Sequence, residues 1–283
     1  MSNRLSPNRL GHKFHNQRQS AFISGQYSLL FSAPPRVRGE NQGFAVKRTV
    51  PNGISSFFID GPAGRLEALL NTGRPDATHA VLVCHPHPLH GGTMHNKVVY
   101  RAMKALNEFG FPALRFNFRG AGLSEGQHDH GHGEIDDVRA ALDWLDAQFH
   151  LPIIFCGFSF GAATGLRAAC QDPRVAGLIA LGTPVAVEGR HYTYGFLQDC
   201  AKPKLFISGS RDPYSPPDVL RQVVGNLLEP KELVLVEGAD HFFEGELPAM
   251  QAAIRDWTAR HIPAARPESA EEAQGQKRKG ADR

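Results

Sequence analysis

The run Ile153-Ile154-Phe155-Cys156-Gly157-Phe158-Ser159-Phe160-Gly161-Ala162-Ala163 sets a serine between two glycines, behind an apolar stretch and ahead of small residues. A nucleophilic hydroxyl needs such a setting. It must project from a tight strand-to-helix turn, and a Cβ two residues to either side would strike the neighbouring strand or helix. Ala162 and Ala163 let the following helix lie close to the sheet, and the start of that helix offers free N–H groups and a positive dipole end to a developing oxyanion. G-x-S-x-G alone arises by chance in a chain with 29 glycines. Its position between an apolar strand and a small-residue helix start makes it specific, and it marks Ser159 as catalytic.

Histidine is the other chemistry-bearing residue type. His85, His87, His90 and His95 stand close together, and His128, His130 and His132 form a second group around Asp129. H-x-H spacing can place two imidazoles on one metal. Prolines interrupt the first group, however, and no later acid or histidine follows at a recognisable ligand spacing. The second group lies between Gly126 and Gly133 and reads as a solvated loop. The sequence therefore predicts no metal and no cofactor.

The elements that must position these residues alternate along the chain. Ile54–Asp60 and Arg65–Leu70, joined by Gly61-Pro62-Ala63-Gly64, read as a hairpin. Short apolar runs follow at Ala80–Cys84, Pro112–Phe116, Ile153–Cys156, Gly177–Leu181, Lys204–Ser208 and Leu233–Val236, as expected of strands buried on both faces. Helical periodicity lies between them at Asn96–Phe109, Glu134–Phe149, Pro217–Leu228 and Leu247–His261. An antiparallel hairpin followed by βαβ units predicts an α/β fold, with a mostly parallel central sheet flanked by helices on both faces. Ligands bind such sheets at the carboxyl ends of the strands, and the candidate residues fall just after the strand runs.

Of 283 residues, 41% are apolar, enough for one well-buried domain. Residues 1–43 carry six Lys/Arg and one acid, and residues 263–283 carry five and four; the stretch between has 20 basic and 23 acidic residues, a balance of −3. The chain thus divides into 1–43, predicted disordered, a domain over 44–262, and a disordered charged tail over 263–283. For 1–43 an organelle transit peptide and a start assigned too early are the alternatives. With no basic stripe on the domain, a nucleic-acid partner is not expected. No stretch is long and apolar enough to span a membrane. Cys84, Cys156, Cys170 and Cys200 lack zinc or CxxC spacing and read as buried reduced thiols, consistent with a cytoplasmic location.

The serine motif in this setting resembles the α/β-hydrolase superfamily, over about residues 50–262. The segment Leu205–Pro216 resembles that family's strand-then-acid loop, and Val234–Phe243 its late strand and histidine loop. The resemblance implies Asp212 as the acid and His241 as the base, in the chain order Ser, Asp, His. His241 takes the serine proton during attack, and Asp212 holds the imidazole tautomer and stabilises the imidazolium. Asp240, beside the histidine, should point away from it. The run His85-Pro86-His87-Pro88-Leu89-His90-Gly91-Gly92 is similar to the oxyanion loop of small bacterial hydrolases carrying HPHP-x-x-GG. One oxyanion donor is then the N–H of Phe160 and the second that of His87, with Leu89 as the fallback, since Pro86 and Pro88 have none. Asn117–Ser124 resembles the family's Gly-rich turn after the fourth strand, where many relatives have Asp at the place of Asn117, and is read as scaffold.

About 20 residues, 183–203, separate the sixth strand from the next, which leaves room only for a minimal cap and predicts an open site for a small-molecule acyl substrate. Phe158, Leu89 and Phe242 are candidate substrate contacts, and Phe160, Tyr192, Tyr194 and Phe196 further candidates for an acyl pocket. The expected chemistry is ester hydrolysis through an acyl-enzyme on Ser159. Peptidase, thioesterase and lactonase activities use the same three residues, and a non-catalytic small-molecule binder is the alternative of another class. A homodimer is compatible with the sequence, but nothing in it requires one.

Overall fold

The structure, a computed structural model, describes residues 53–189 and 192–262; the predicted segments 1–43 and 263–283, with the boundary at 44, lie outside them. Eight strands form one sheet in the order β1-β2-β4-β3-β5-β6-β7-β8. The strands are β1 Ile54–Gly61, β2 Gly64–Asn71, β3 Ala80–Cys84, β4 Ala113–Phe116, β5 Ile153–Phe158, β6 Val175–Leu181, β7 Lys204–Gly209 and β8 Lys231–Val236. β1 pairs antiparallel with β2 and β2 antiparallel with β4, while the pairs from β4 through β8 are parallel. The predicted architecture is therefore present, and every predicted strand has its counterpart.

The helices are α1 Lys97–Asn107, α2 Gly133–Phe149, α3 Phe160–Ala169, α4 Pro217–Gly225 and α5 Leu247–His261. Each face of the sheet carries its own core. Val138 and Leu142 of α2, Leu166 of α3 and Leu220 of α4 pack with Leu82, Leu114 and Phe155 on one face. Val99 and Met103 of α1 and Ile254 and Trp257 of α5 pack with Val83, Ile154 and Ile207 on the other. All residues of β3, β4, β5 and β7 are buried, whereas β1, at the sheet edge, alternates. That contrast is why the inner strands read as continuous apolar runs.

Strand order places the chemistry. β3 lies between β4 and β5, so the chain leaves β3 to one side and returns on the other. At this switch point the loops after β3 and β5 diverge, leaving a crevice at the carboxyl ends. Cys84 pairs with Gly157, so the His85–Gly92 loop and the serine turn start side by side although about 70 residues separate them in sequence.

Candidate active site

Ser159 sits at the N-terminus of α3 with φ 54° and ψ −118°, a backbone region that a non-glycine residue occupies only when its surroundings enforce it. The surroundings do. Its N–H donates to Leu181 O at 2.8 Å, and its carbonyl accepts from Ala162 and Ala163 N–H at 2.9 and 3.0 Å. A Cβ on Gly157 would come within 2.6 Å of Ala162 Cα, and one on Gly161 within 2.5 Å of His85 O. The predicted reason for both glycines thus holds: the first clears the helix, the second clears the chain leaving β3.

The loops after β7 and β8 bring Asp212 and His241 to this serine. His241 Nε2 lies 3.0 Å from Ser159 Oγ, and His241 Nδ1 lies 2.8 Å from Asp212 Oδ2. Asp212 is buried and further held, its Oδ1 accepting from Tyr214 N–H at 2.9 Å and its Oδ2 from Ser208 Oγ at 3.2 Å. With Nδ1–H donated to the carboxylate, Nε2 is left to accept the serine proton. Asp240 turns away, as expected: its Oδ1 accepts from Phe242 and Glu244 N–H at 2.9 and 3.0 Å and caps the histidine loop. Three rings confine the imidazole, with Phe158, Tyr214 and Phe242 centroids at 5.0, 4.8 and 5.3 Å.

Phe158 requires a correction. The sequence reading makes it a substrate contact, but it has no exposed surface and packs against the His241 ring. Tyr194 is likewise buried, and Phe160, 3% exposed, meets solvent only along the groove beside α3, whereas Leu89 and Phe242 are 64% and 50% exposed at the mouth.

In the loop after β3, Pro88–His90 forms one 3-10 turn. Leu89 N–H donates to His87 Nδ1 at 3.2 Å, which removes Leu89 as the fallback oxyanion donor and leaves His87 as the candidate on this loop. His90 and Gly92 N–H both donate to His87 O, and Gly91 takes φ 77°. Phe160, the other candidate, is the first residue of α3, where N–H groups have no helical acceptor.

The histidines of the two groups have separate surroundings. His85 is fully buried: its Nδ1 lies 2.6 Å from Pro86 O, its Nε2 accepts from Phe118 N–H at 3.0 Å, and burial lowers its pKa to about 4. It therefore stays neutral and ties the loop after β3 to the loop after β4. The second group lies on a largely solvent-exposed loop, as expected, but that loop is also pinned from within. Glu134, at the start of α2, is fully buried and accepts from Asp129 and Gly131 N–H at 2.8 Å each. His128 Nδ1 lies 2.7 Å from the same carboxylate. The two groups meet in one stack, His87 packing on His90, His128 and Phe160 with centroids at 4.5, 4.8 and 4.8 Å.

Further polar residues brace the loops, among them Glu67 and Asp137, to which sequence reasoning assigned no role. Arg119 grips Asp137 through Nη2 at 2.7 Å and Nε at 3.0 Å. Asn117 accepts from Met94 N–H and donates to Glu67 Oε2, at 2.8 and 2.7 Å, and Glu67 also accepts from Leu123 N–H. The turn from Asn117 to Ser124 is scaffold, as expected, and Glu67 explains the amide at 117, because a second carboxylate there would repel it. The one sequence signal available was an Arg or an acid immediately after a buried strand or in the first turn of a helix.

Between β6 and β7, among the described residues, the only helical element is one 3-10 turn at Gly195–Leu197, in keeping with a minimal cap. Among the described residues no helix is long and apolar enough to cross a membrane.

Comparisons with known proteins bear on the family and the fold. A family model described as serine aminopeptidase, S33, matches residues 78–201. An uncharacterized protein of Rickettsia prowazekii is 36% identical over 214 residues, 72% of this chain and 88% of that protein. Among solved structures, an alpha-beta serine hydrolase homologue from Coxiella burnetii is 38% identical, with a TM-score of 0.66 over 71% of this chain and 96% of its own. A Xanthomonas campestris protein described as an a/b serine hydrolase without lid is 35% identical, with a TM-score of 0.68 over 76% and 97%. With these identities over nearly the whole of each solved relative, and with a serine turn of the kind the fold demands, the chain belongs to the α/β serine hydrolase family.

Proposed function

We propose that the protein hydrolyses carboxylic esters through an acyl-enzyme on Ser159, with His241 as general base and acid and Asp212 as the carboxylate that orients it. The observation that carries this reading is the unbroken line from Ser159 Oγ through both imidazole nitrogens to Asp212 Oδ2, at 3.0 and 2.8 Å. In the first step Oγ bonds to the acyl carbon as its proton passes to Nε2. The oxyanion develops toward the N–H groups of Phe160 and His87, and the imidazolium is stabilised by Asp212. The proton then leaves with the alcohol as the C–O bond breaks. A water, deprotonated by the same Nε2, releases the acid and returns the proton to Oγ.

The open mouth, rimmed by Leu89, Tyr214 and Phe242, suits small or moderately sized acyl groups. Peptidase action needs recognition of a free amine or of a peptide chain, and for the amine none of the residues lining the groove beside Phe160 is acidic. Ester hydrolysis is therefore the preferred reaction among those the three residues support, and it requires no cofactor. Pre-steady-state hydrolysis of p-nitrophenyl acetate tests it. A burst of p-nitrophenol stoichiometric with enzyme, with a transient acetyl mass on the peptide containing Ser159, is the expected result. Turnover without any acyl-enzyme, or no turnover by folded protein, would overturn it.

A further inference from the structure

We infer that the groove along α3 binds the acyl chain of a substrate that ends in a carboxylate, and that Arg167 selects that end. The inference deepens the ester-hydrolase reading and rests on it. A groove of about 510 Å³ begins at Phe160, the residue next to the nucleophile, and runs past Ala163 and Thr164 to Arg167. These four lie at i, i+3, i+4 and i+7, on one face of the helix. At 1.5 Å per residue, Arg167 stands about 12 Å along the axis from Ser159, and helical side chains lean back toward the N-terminus. Ser159 itself does not line the groove but stands one residue before its first lining residue, and a medium-length acyl chain that turns from Ser159 into the groove would span that distance.

The opposite wall is His130, Gly131, His132 and Ile135, held by the Glu134 carboxylate. Gly131 keeps this wall thin: it takes φ 92°, and its missing Cβ would stand 3.5 Å from the Phe160 ring. The floor is thus apolar near the serine, and no lining residue is acidic. At the far end the Arg167 guanidinium is aimed rather than loose. Its Nη2 donates to Thr193 O at 3.0 Å and Oγ1 at 3.2 Å, and its Cζ lies over the Phe196 ring, 4.6 Å from the centroid. Among the described residues no carboxylate stands within ion-pair distance of it. A cation in the last turn of a helix suits the helix dipole, but that alone accounts neither for the tether to Thr193 nor for its place in the groove. An oriented guanidinium is suited to a carboxylate through charge-assisted hydrogen bonds.

The test compares two esters of equal chain length, p-nitrophenyl octanoate and the p-nitrophenyl monoester of suberic acid, on wild type, Arg167→Gln and Arg167→Lys. The ratio of kcat/KM for the suberate ester to that for the octanoate ester is expected to fall about tenfold in Arg167→Gln, mainly through KM, and to be partly kept in Arg167→Lys. A ratio unmoved by Arg167→Gln would overturn the inference. Free suberate is titrated calorimetrically into the same proteins. Its affinity should weaken about tenfold in Arg167→Gln, and equal affinity for both proteins, or binding to neither, would equally overturn it. If wild type hydrolyses no ester at all, the ester-hydrolase reading fails, and the suberate titration decides the inference about the groove by itself.

Discussion

The two sides of the active site are built by different physics. On one side, Ser159, Asp212 and His241 stand on turns at the ends of β5, β7 and β8, and backbone geometry places them. On the other, the loops after β3 and β4 and the start of α2 are held by buried polar side chains: His85 bridging Pro86 O and Phe118 N–H, Arg119 on Asp137, and Glu134 on the backbone of residues 129–131. The first side needs small residues where elements nearly touch. The second needs every donor and acceptor matched, because an unpaired polar group in such a place costs about 1–3 kcal/mol. Damage to the serine side should therefore appear in catalysis, and damage to the histidine side in stability.

The largest effect expected is on the serine side. Ser159→Ala should reduce ester hydrolysis by roughly 10⁴–10⁶-fold with an unchanged melting temperature, because alanine inherits the same backbone strain. Asp212→Asn should leave the fold intact and lower kcat by about 10⁴-fold, through loss of the correct imidazole tautomer. A loss of only a few-fold would remove Asp212 from its role.

The histidine side should reverse the pattern. Asp137→Ala leaves the buried Arg119 guanidinium unpaired and should lower stability by roughly 3–5 kcal/mol in urea unfolding, with a smaller effect on kcat at temperatures where the fold survives. If kcat collapsed while stability held, the division between the two sides would be wrong.

His85 sharpens the comparison through pH. Its native pKa of about 4 lies below the ordinary value of 6.5, because burial disfavours the charged ring. Between those values the unfolded chain binds more protons than the folded one, so stability rises with pH. This contribution is fully present above about 6.5 and is lost as pH falls toward 4; the shift corresponds to about 3 kcal/mol. His85→Gln should show a shallower dependence than wild type in that window, measured by urea midpoints from pH 4 to 7. Equal slopes would mean that His85 titrates alike in both states. The smallest effect belongs to Asp240→Asn, since an amide oxygen can still accept from Phe242 and Glu244 N–H. Activity should remain within a few-fold of wild type.

The same division explains what could be read from the sequence. Gly157, Ser159 and Gly161 were legible because their reasons are local, lying in a turn of five residues. Asp212 and His241 were legible through their place after apolar strands and their order along the chain. His85 and Glu134 were not, because what each does depends on a partner brought in by topology: Phe118 is 33 residues from His85, and the loop below Glu134 looks polar and Gly-rich whether solvated or pinned. Phe158 was misread for a related reason, since composition shows an aromatic beside the nucleophile but not whether it faces the groove or supports the base. Element ends shifted by a few residues where capping decided them. Asn96 was counted into the first helix, whereas its side chain accepts from Val98 N–H and caps it at Lys97. The pairing of β2 with β4 had no sequence signal.

The central claim is that Ser159 is an activated nucleophile held in line with His241 and Asp212. The most direct measurement is the intact mass of the protein after exposure to a fluorophosphonate, for wild type, Ser159→Ala and His241→Ala. The account predicts one adduct per wild-type chain, located on Ser159, none on Ser159→Ala and strongly slowed labelling of His241→Ala. Well-folded wild type that takes no adduct, or labelling that persists in Ser159→Ala, would contradict it.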